Sequence, residues 1–338
     1  MKQVRFMVKE NLSGLTLKQL TILIFIFFSV AGLLAIADRA PYHLEKRFPE
    51  SKISDDFTFY LDGVLNKTLP GPYIYRILIP YSVDFINKII PAVSPVTIDL
   101  ILKFMILFLC QLSFFFLMYM FFSAFKALSG VFLLDVLTGF SLSYFQGPSI
   151  PETADLLNMA IFSLVITALY KNSFTTICVL LFIGMLNRET PILLLPIIFL
   201  YDYINKKGFL RSIISAACIL LPYLILHLLI REPDPRWVTM EGITRNIPFV
   251  NDSYSSTAIL SVIRLFLLIG PLLFLSIYRF KNQPQFFKIT TSVIPLFIVI
   301  HFIFGTIIEA RLWMPVFVLL IPPAINTLSN IYYEVTSK

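Results

Sequence analysis

Apolar residues run along this chain in long blocks rather than in short alternating patches. Ten blocks stand out, at roughly 20–37, 98–124, 129–146, 154–170, 172–186, 190–204, 211–230, 258–278, 289–307 and 312–332. Most approach the ~20 residues that carry a helix across ~30 Å of hydrocarbon. Polar turns separate them, together with two longer polar segments at 38–72 and 231–257. The pattern predicts an all-α integral membrane protein with about ten transmembrane helices, residues 1–338 forming a single transmembrane domain.

Two neighbouring blocks are short. The runs 172–186 and 190–202 each hold only about 13–15 residues, less than the ~20 needed to span, and joined they exceed one helix of ordinary tilt. The spacing predicts a pair of short helices whose connection, Asn187-Arg188-Glu189, is recessed below the outer surface. Thr190-Pro191 fits a helix start, because Thr caps and Pro suits the first position. A recessed Arg and Glu are costly unless paired or facing a wet cavity. The alternative is a tight turn with both side chains reaching water.

Another pattern appears at 73–90, where Arg76, Asp84, Asn87 and Lys88 recur among apolar residues. This predicts an amphipathic helix with a break at Pro80, lying flat in the outer interface within a first outer loop of 38–97. Arg76 then sits at headgroup depth, where it meets a lipid phosphate or snorkels to water. Pro91 and Pro95 separate this helix from the next span.

Composition strengthens the membrane assignment. The chain is 57% hydrophobic and 14% charged, with a mean hydropathy of +0.82, too little polar surface for a soluble domain. The start resembles a signal peptide, with Lys2, Arg5, Lys9 and Lys18 before an apolar stretch that ends in Ala35-Ile36-Ala37. That stretch is long enough to span, so an uncleaved first helix is expected, and either choice leaves residue 38 outside.

Charge then sets sidedness. With a cytoplasmic N-terminus the inner segments hold 13 Lys and Arg against three acids, and the outer segments 12 basic and 16 acidic residues. Inner loops this basic obey the positive-inside rule. The net charge of +7 therefore reflects topology and implies no nucleic-acid partner. Both termini are expected in the cytoplasm.

On this assignment the chemistry-bearing groups converge outside. Inner loops are short and carry no Gly-rich phosphate loop. In the first outer segment, Asp55 and Asp56 are adjacent and are followed by Tyr60 and Asp62. Such a pair serves as a general base, binds a divalent cation such as Mg or Mn, or is simply a solvated loop pair. Glu309-Ala310-Arg311 opens the last span with another acid and base. Arg264 lies about two turns into the eighth span, some ~9 Å deep at 1.5 Å per residue, and an intramembrane Arg is a functional candidate by default. Asp135 is the only acid well inside a span. Asp99 and Lys103, four apart, are expected to pair with each other. Cys110, Cys178 and Cys218 form no motif, and His43, His227 and His301 have no second ligand at metal spacing. The 231–257 loop, with prolines, Trp237 and mixed charges, suits an outer cap.

These features resemble the C-type (GT-C) glycosyltransferase superfamily, polytopic membrane enzymes that use lipid-phosphate-linked sugars. The matching residues are Asp55-Asp56-Phe57-Thr58-Phe59-Tyr60, the helix at 73–90 with Pro72-Tyr73-Ile74-Tyr75-Arg76-Ile77-Leu78-Ile79-Pro80, and Asn187-Arg188-Glu189-Thr190. The resemblance implies a bacterial inner-membrane enzyme that transfers sugar from a polyprenyl-phosphate donor to a cell-envelope glycan, lipid or protein acceptor. It implies Asp55 or Asp56 as base, and Arg76, Arg188, Arg264 or Arg311 holding the phosphate. Glu189 and Glu309 would orient those arginines or the sugar hydroxyls. Two departures are visible. The acidic pair is Asp-Asp where Asp-Glu is commoner, and the chain is shorter than most such enzymes, so a C-terminal soluble domain for the acceptor is not expected. The rival readings are a transporter or flippase, or a polymerase, of lipid-linked saccharides, and a non-catalytic scaffold of an envelope-polymer assembly.

Overall fold

The computed structural model describes residues 15–44, 50–69, 73–143, 152–230, 255–304 and 310–337, without the side chains of 37–44, 50–56, 143, 255–262, 264, 304 and 310. The described residues are all-helical, with no strand. In chain order the helices are α1 (Leu17–Leu44), α2 (Glu50–Leu65), α3 (Leu78–Ile89), α4 (Pro95–Tyr119), α5 (Ala124–Ser143), α6 (Glu152–Tyr170) and α7 (Phe174–Asn187). They continue with α8 (Leu195–Ile204), α9 (Phe209–Leu229), α10 (Ser255–Ile277), α11 (Gln285–Ser292), α12 (Ile294–Phe304) and α13 (Met314–Thr336).

Seven segments are long and apolar enough to cross a membrane: Leu17–Ile36, Pro95–Tyr119, Ala124–Leu142, Glu152–Tyr170, Phe209–Leu229, Gln285–Ile303 and Arg311–Thr336. Three apolar helices are shorter, Phe174–Asn187, Thr190–Ile204 and Leu265–Ile277. The chain is thus a multi-pass helical membrane protein.

Burial separates the centre of the bundle from its rim. The spanning windows of α6 and α13 are each 78% buried, against 17% for α1 and 22% for α9. Helix α6 packs between α4, α7 and α13, and α9 packs on α7 and α8. The core includes Phe114, Phe162, Phe297 and Phe317, all fully enclosed. In a bilayer the outward Leu, Ile and Phe of α1 and α9 meet lipid tails, so their exposure carries no penalty.

Local chemistry explains several boundaries. Ser94 caps α4, its hydroxyl accepting from the Thr97 amide at 3.2 Å, with Pro95 at the first helical position. The stretch at 73–90 is not one helix broken at Pro80. A single 3-10 turn, Tyr73–Tyr75, comes first, and Pro80 sits inside the first turn of α3, where its missing N–H costs nothing.

The first outer segment departs further from the loop expected there. It contains α2, whose apolar positions Ile53, Phe57, Tyr60, Leu61 and Val64 follow helical spacing. Phe57, Tyr60, Leu61 and Val64 are buried.

Candidate functional site

Helix α7 ends early, and the site grows from that. At 14 residues it is ~21 Å long, short of ~30 Å of hydrocarbon. Arg188 takes an extended conformation, Glu189 returns to helical angles, and the 3-10 turn Thr190–Leu194 leads into α8. Gly184 makes the reversal possible. A Cβ there would lie 2.9 Å from Pro191 Cγ and 3.2 Å from Ile161 Cγ2. Asn187 locks the turn to α6 by donating from Nδ2 to the Ala154 carbonyl at 2.7 Å.

The Arg188 side chain turns inward and pairs with Asp155 of α6, both almost fully buried. Arg311 Nη1 approaches the other oxygen of Asp155 at 3.9 Å. One turn earlier, Glu152 meets Lys103 of α4 at 2.9 Å, again fully enclosed. Thr153 Oγ1 donates to Asp99 at 2.9 Å. Asp99 and Lys103, expected to pair with each other, thus also have partners across the interface on α6. Both acids of α6 occupy its first turn, where the helix dipole favours negative charge. Lys103 lies two turns below the start of α4, about 12 Å at 1.5 Å per residue, so this charged layer is recessed.

Glu189 faces the other way. Its carboxylate takes a two-point bond from Arg76, Nη2 to Oε1 at 2.7 Å and Nε to Oε2 at 3.3 Å, and Arg188 Nε stands 3.9 Å from Oε1. Arg76 is buried and its guanidinium lies 5.0 Å over the Tyr73 ring, whereas the Glu189 side chain stays 41% exposed. Burial alone would raise the Glu189 carboxyl, but Arg76 and Arg188 outweigh it and hold the pKa at about 2. For Arg76, burial works against the cation and is outweighed by Glu189, so its pKa rises. Burial pushes the Tyr60 phenol up to about 12, against the pull of Arg76 and Arg188, so it stays a neutral donor beside them.

Arg76, Arg188 and Glu189 line a small pocket, with Met185 and Leu226 as its apolar part. Tyr75, Tyr223 and His227 form an aromatic wall, with Tyr75 stacked on His227 at 3.8 Å and Tyr223 4.0 Å away. One side is ionic and forked, the other flat and aromatic.

Of the residues expected from sequence, Arg76, Arg188 and Glu189 come together here, and Arg311 joins through Asp155. Asp55 and Asp56 belong to α2, about a turn before Tyr60, and their side chains lie outside the described ones. So does that of Arg264 in α10, while Glu309 and the 231–254 segment lie outside the described residues. Asp135 sits deep between α4 and α5, where both its oxygens accept from Gln111 Nε2 at 3.1 Å. Among the described residues no group of three or more His, Cys, Asp or Glu is placed to hold a metal ion.

The sequence places Glu152 and Asp155 on the same outer side as Asn187-Arg188-Glu189 but assigns them no role, and it gives no sign of the aromatic wall. The signal for the acids was present, as two carboxylates spaced three apart at the head of an apolar helix. Nothing in sequence brings Tyr75 to His227. Comparison with protein-family models, curated proteins and solved structures finds no match to this chain.

Proposed function

We propose that this protein is a membrane glycosyltransferase that moves a sugar from a polyprenyl-phosphate donor to a glycan, lipid or protein acceptor at the outer face of a bacterial inner membrane. The observation that carries this reading is the convergence of Arg76 with Arg188 and Glu189, from distant parts of the chain, on one pocket at the end of a short apolar helix. A lipid carrier suits such a site, because its tail lies between helices while its phosphate stays at the wet, cationic mouth.

In the transfer, the bond between the anomeric carbon and the phosphate oxygen breaks as the acceptor hydroxyl attacks that carbon. The hydroxyl proton passes to Asp55 or Asp56, and the leaving phosphate keeps the bond's electron pair. Arg76 and Arg188, with Arg264 and Arg311, stabilise that charge. Glu189 and Asp155 keep the two pocket arginines oriented until the phosphate arrives, and Glu309 orients the arginines or the sugar hydroxyls. Asp55 and Asp56 are also the pair that would hold Mg or Mn.

The finer topology belongs to the same proposal. The three shorter apolar helices complete about ten crossings, with both termini cytoplasmic. Helix α3 lies in the outer interface, a placement supported by Tyr81, Phe85 and Ile89, which form an exposed apolar face four residues apart, opposite buried Ile79 and Val83.

The test is transfer of labelled sugar from a polyprenyl-phosphate carrier by the protein in liposomes. Arg188→Ala and one of Asp55→Asn or Asp56→Asn are expected to abolish it. Full activity in all three variants removes these residues from the mechanism. A carrier of lipid-linked saccharides is the second reading, and it draws on Asp135 held deep in the bundle. Sugar-dependent movement without donor turnover would favour it.

A further inference from the structure

At the end of the bundle opposite the pocket, two turns are clamped together by one arginine. Arg211, in the first turn of α9, reaches the turn between α6 and α7, where Nη1 bonds the Asn172 side chain and the guanidinium lies 5.1 Å over the Phe174 ring. Its Nε lies 3.2 Å from Asp202 Oδ1, at the end of α8, and Ser212 Oγ donates to the other oxygen at 3.4 Å. The Lys207 amide donates to the Asp202 carbonyl at 2.9 Å. One guanidinium thereby fixes the spacing of Lys171 against Lys206 and Lys207.

All three lysines are exposed. The one acid between residues 201 and 212 is Asp202, which is buried and already engaged by Arg211. The patch is therefore strongly cationic. It is also apolar at its edge, where Tyr203, Phe209 and Leu210 are 75%, 66% and 68% exposed. A ligand that satisfies both halves carries an anionic head and hydrocarbon tails. A free anion leaves the apolar edge uncovered, and a neutral lipid leaves the lysines without a partner.

We infer that the α6–α7 and α8–α9 turns form a binding site for an anionic phospholipid, its phosphate held by Lys171, Lys206 and Lys207 and its acyl chains lying along Tyr203, Phe209 and Leu210. Basic clusters at the ends of membrane helices attract such headgroups. This site goes beyond a general inside-positive bias because Arg211 ties two separate turns into one surface of set geometry. It does not depend on the transfer reaction proposed for the opposite end.

The experiment uses the delipidated full-length protein in a neutral detergent, offered equal amounts of phosphatidylglycerol and phosphatidylcholine, with retained lipid read by native mass spectrometry. The natural protein is expected to retain phosphatidylglycerol preferentially. The K171A/K206A/K207A variant should lose that retention on the order of a hundredfold, at roughly fivefold per lysine, with its melting temperature in neutral detergent unchanged. The K171R/K206R/K207R variant keeps charge and should keep the preference. Equal retention in the alanine variant, no preference in the natural protein, or displacement of the lipid by equimolar inorganic phosphate overturns the inference.

Discussion

Arg76 and Glu189 stand 113 positions apart in the chain and meet in a forked ion pair, with Nη2 to Oε1 at 2.7 Å and Nε to Oε2 at 3.3 Å. The bond joins the segment leading into α3 to the turn between α7 and α8, and both partners line the same pocket. An arginine held in this way is pre-oriented toward the pocket mouth.

A fork needs a guanidinium. Lysine keeps the charge of Arg76 but not the two parallel donors. Arg76→Lys should therefore lower sugar transfer about as much as Arg76→Ala, on the order of tenfold or more. A double-mutant cycle with Glu189→Gln should be clearly non-additive, since each single change already breaks the bond. Additive losses would mean that the two act separately.

The Glu152–Lys103 pair is fully enclosed between α6 and α4. Removing one charge takes this buried partner from the other, so Glu152→Gln should cost about 3–5 kcal/mol of stability. The double variant K103M/E152L should recover most of that loss, because an apolar pair of similar volume carries no desolvation penalty. Unfolding by a denaturing detergent, followed by circular dichroism, distinguishes the two.

Acid should spare the Glu189 contact over an unusual range. Its carboxyl is held at about 2 against an ordinary value of 4.5. A depressed carboxyl contributes stability that is fully present above the unfolded-state value and is lost as pH falls through the folded-state one. The contribution is therefore complete at neutral pH, shrinks below about pH 4.5 and is gone below about pH 2. Melting temperatures of the natural protein and of Glu189→Gln should differ above that window and converge within it.

Gly184→Ala probes the reversal itself. The added methyl meets Pro191 Cγ at 2.9 Å and Ile161 Cγ2 at 3.2 Å, so α6 or the 3-10 turn must shift. A loss of about 1–3 kcal/mol is expected for such overpacking, together with reduced transfer, because Arg188 and Glu189 ride on that turn. Unchanged stability and activity would show that the close approach is dispensable.

Much of this was legible in the chain. The apolar blocks announced the membrane helices, because span length and hydropathy are local properties. The shortness of the runs around Asn187-Arg188-Glu189 announced a turn between two short helices for the same reason. Helix α2 was legible too, in the spacing from Ile53 to Val64, but it stayed hidden behind the polar residues of its segment.

Partner choice was not legible. Asp99 and Lys103 have the spacing of an intrahelical pair, but nothing in that spacing tells that α4 also presents them to Thr153 and Glu152 of α6. Likewise Asp155 takes Arg188, and Tyr75 finds His227, through contacts that no local pattern encodes. By itself the sequence determined that this is an apolar, all-helical, multi-pass membrane protein, since those properties depend on composition and length. Only the tertiary structure decided which arginine meets which carboxylate, because that depends on how each helix is rotated and how deeply it is set against its neighbours.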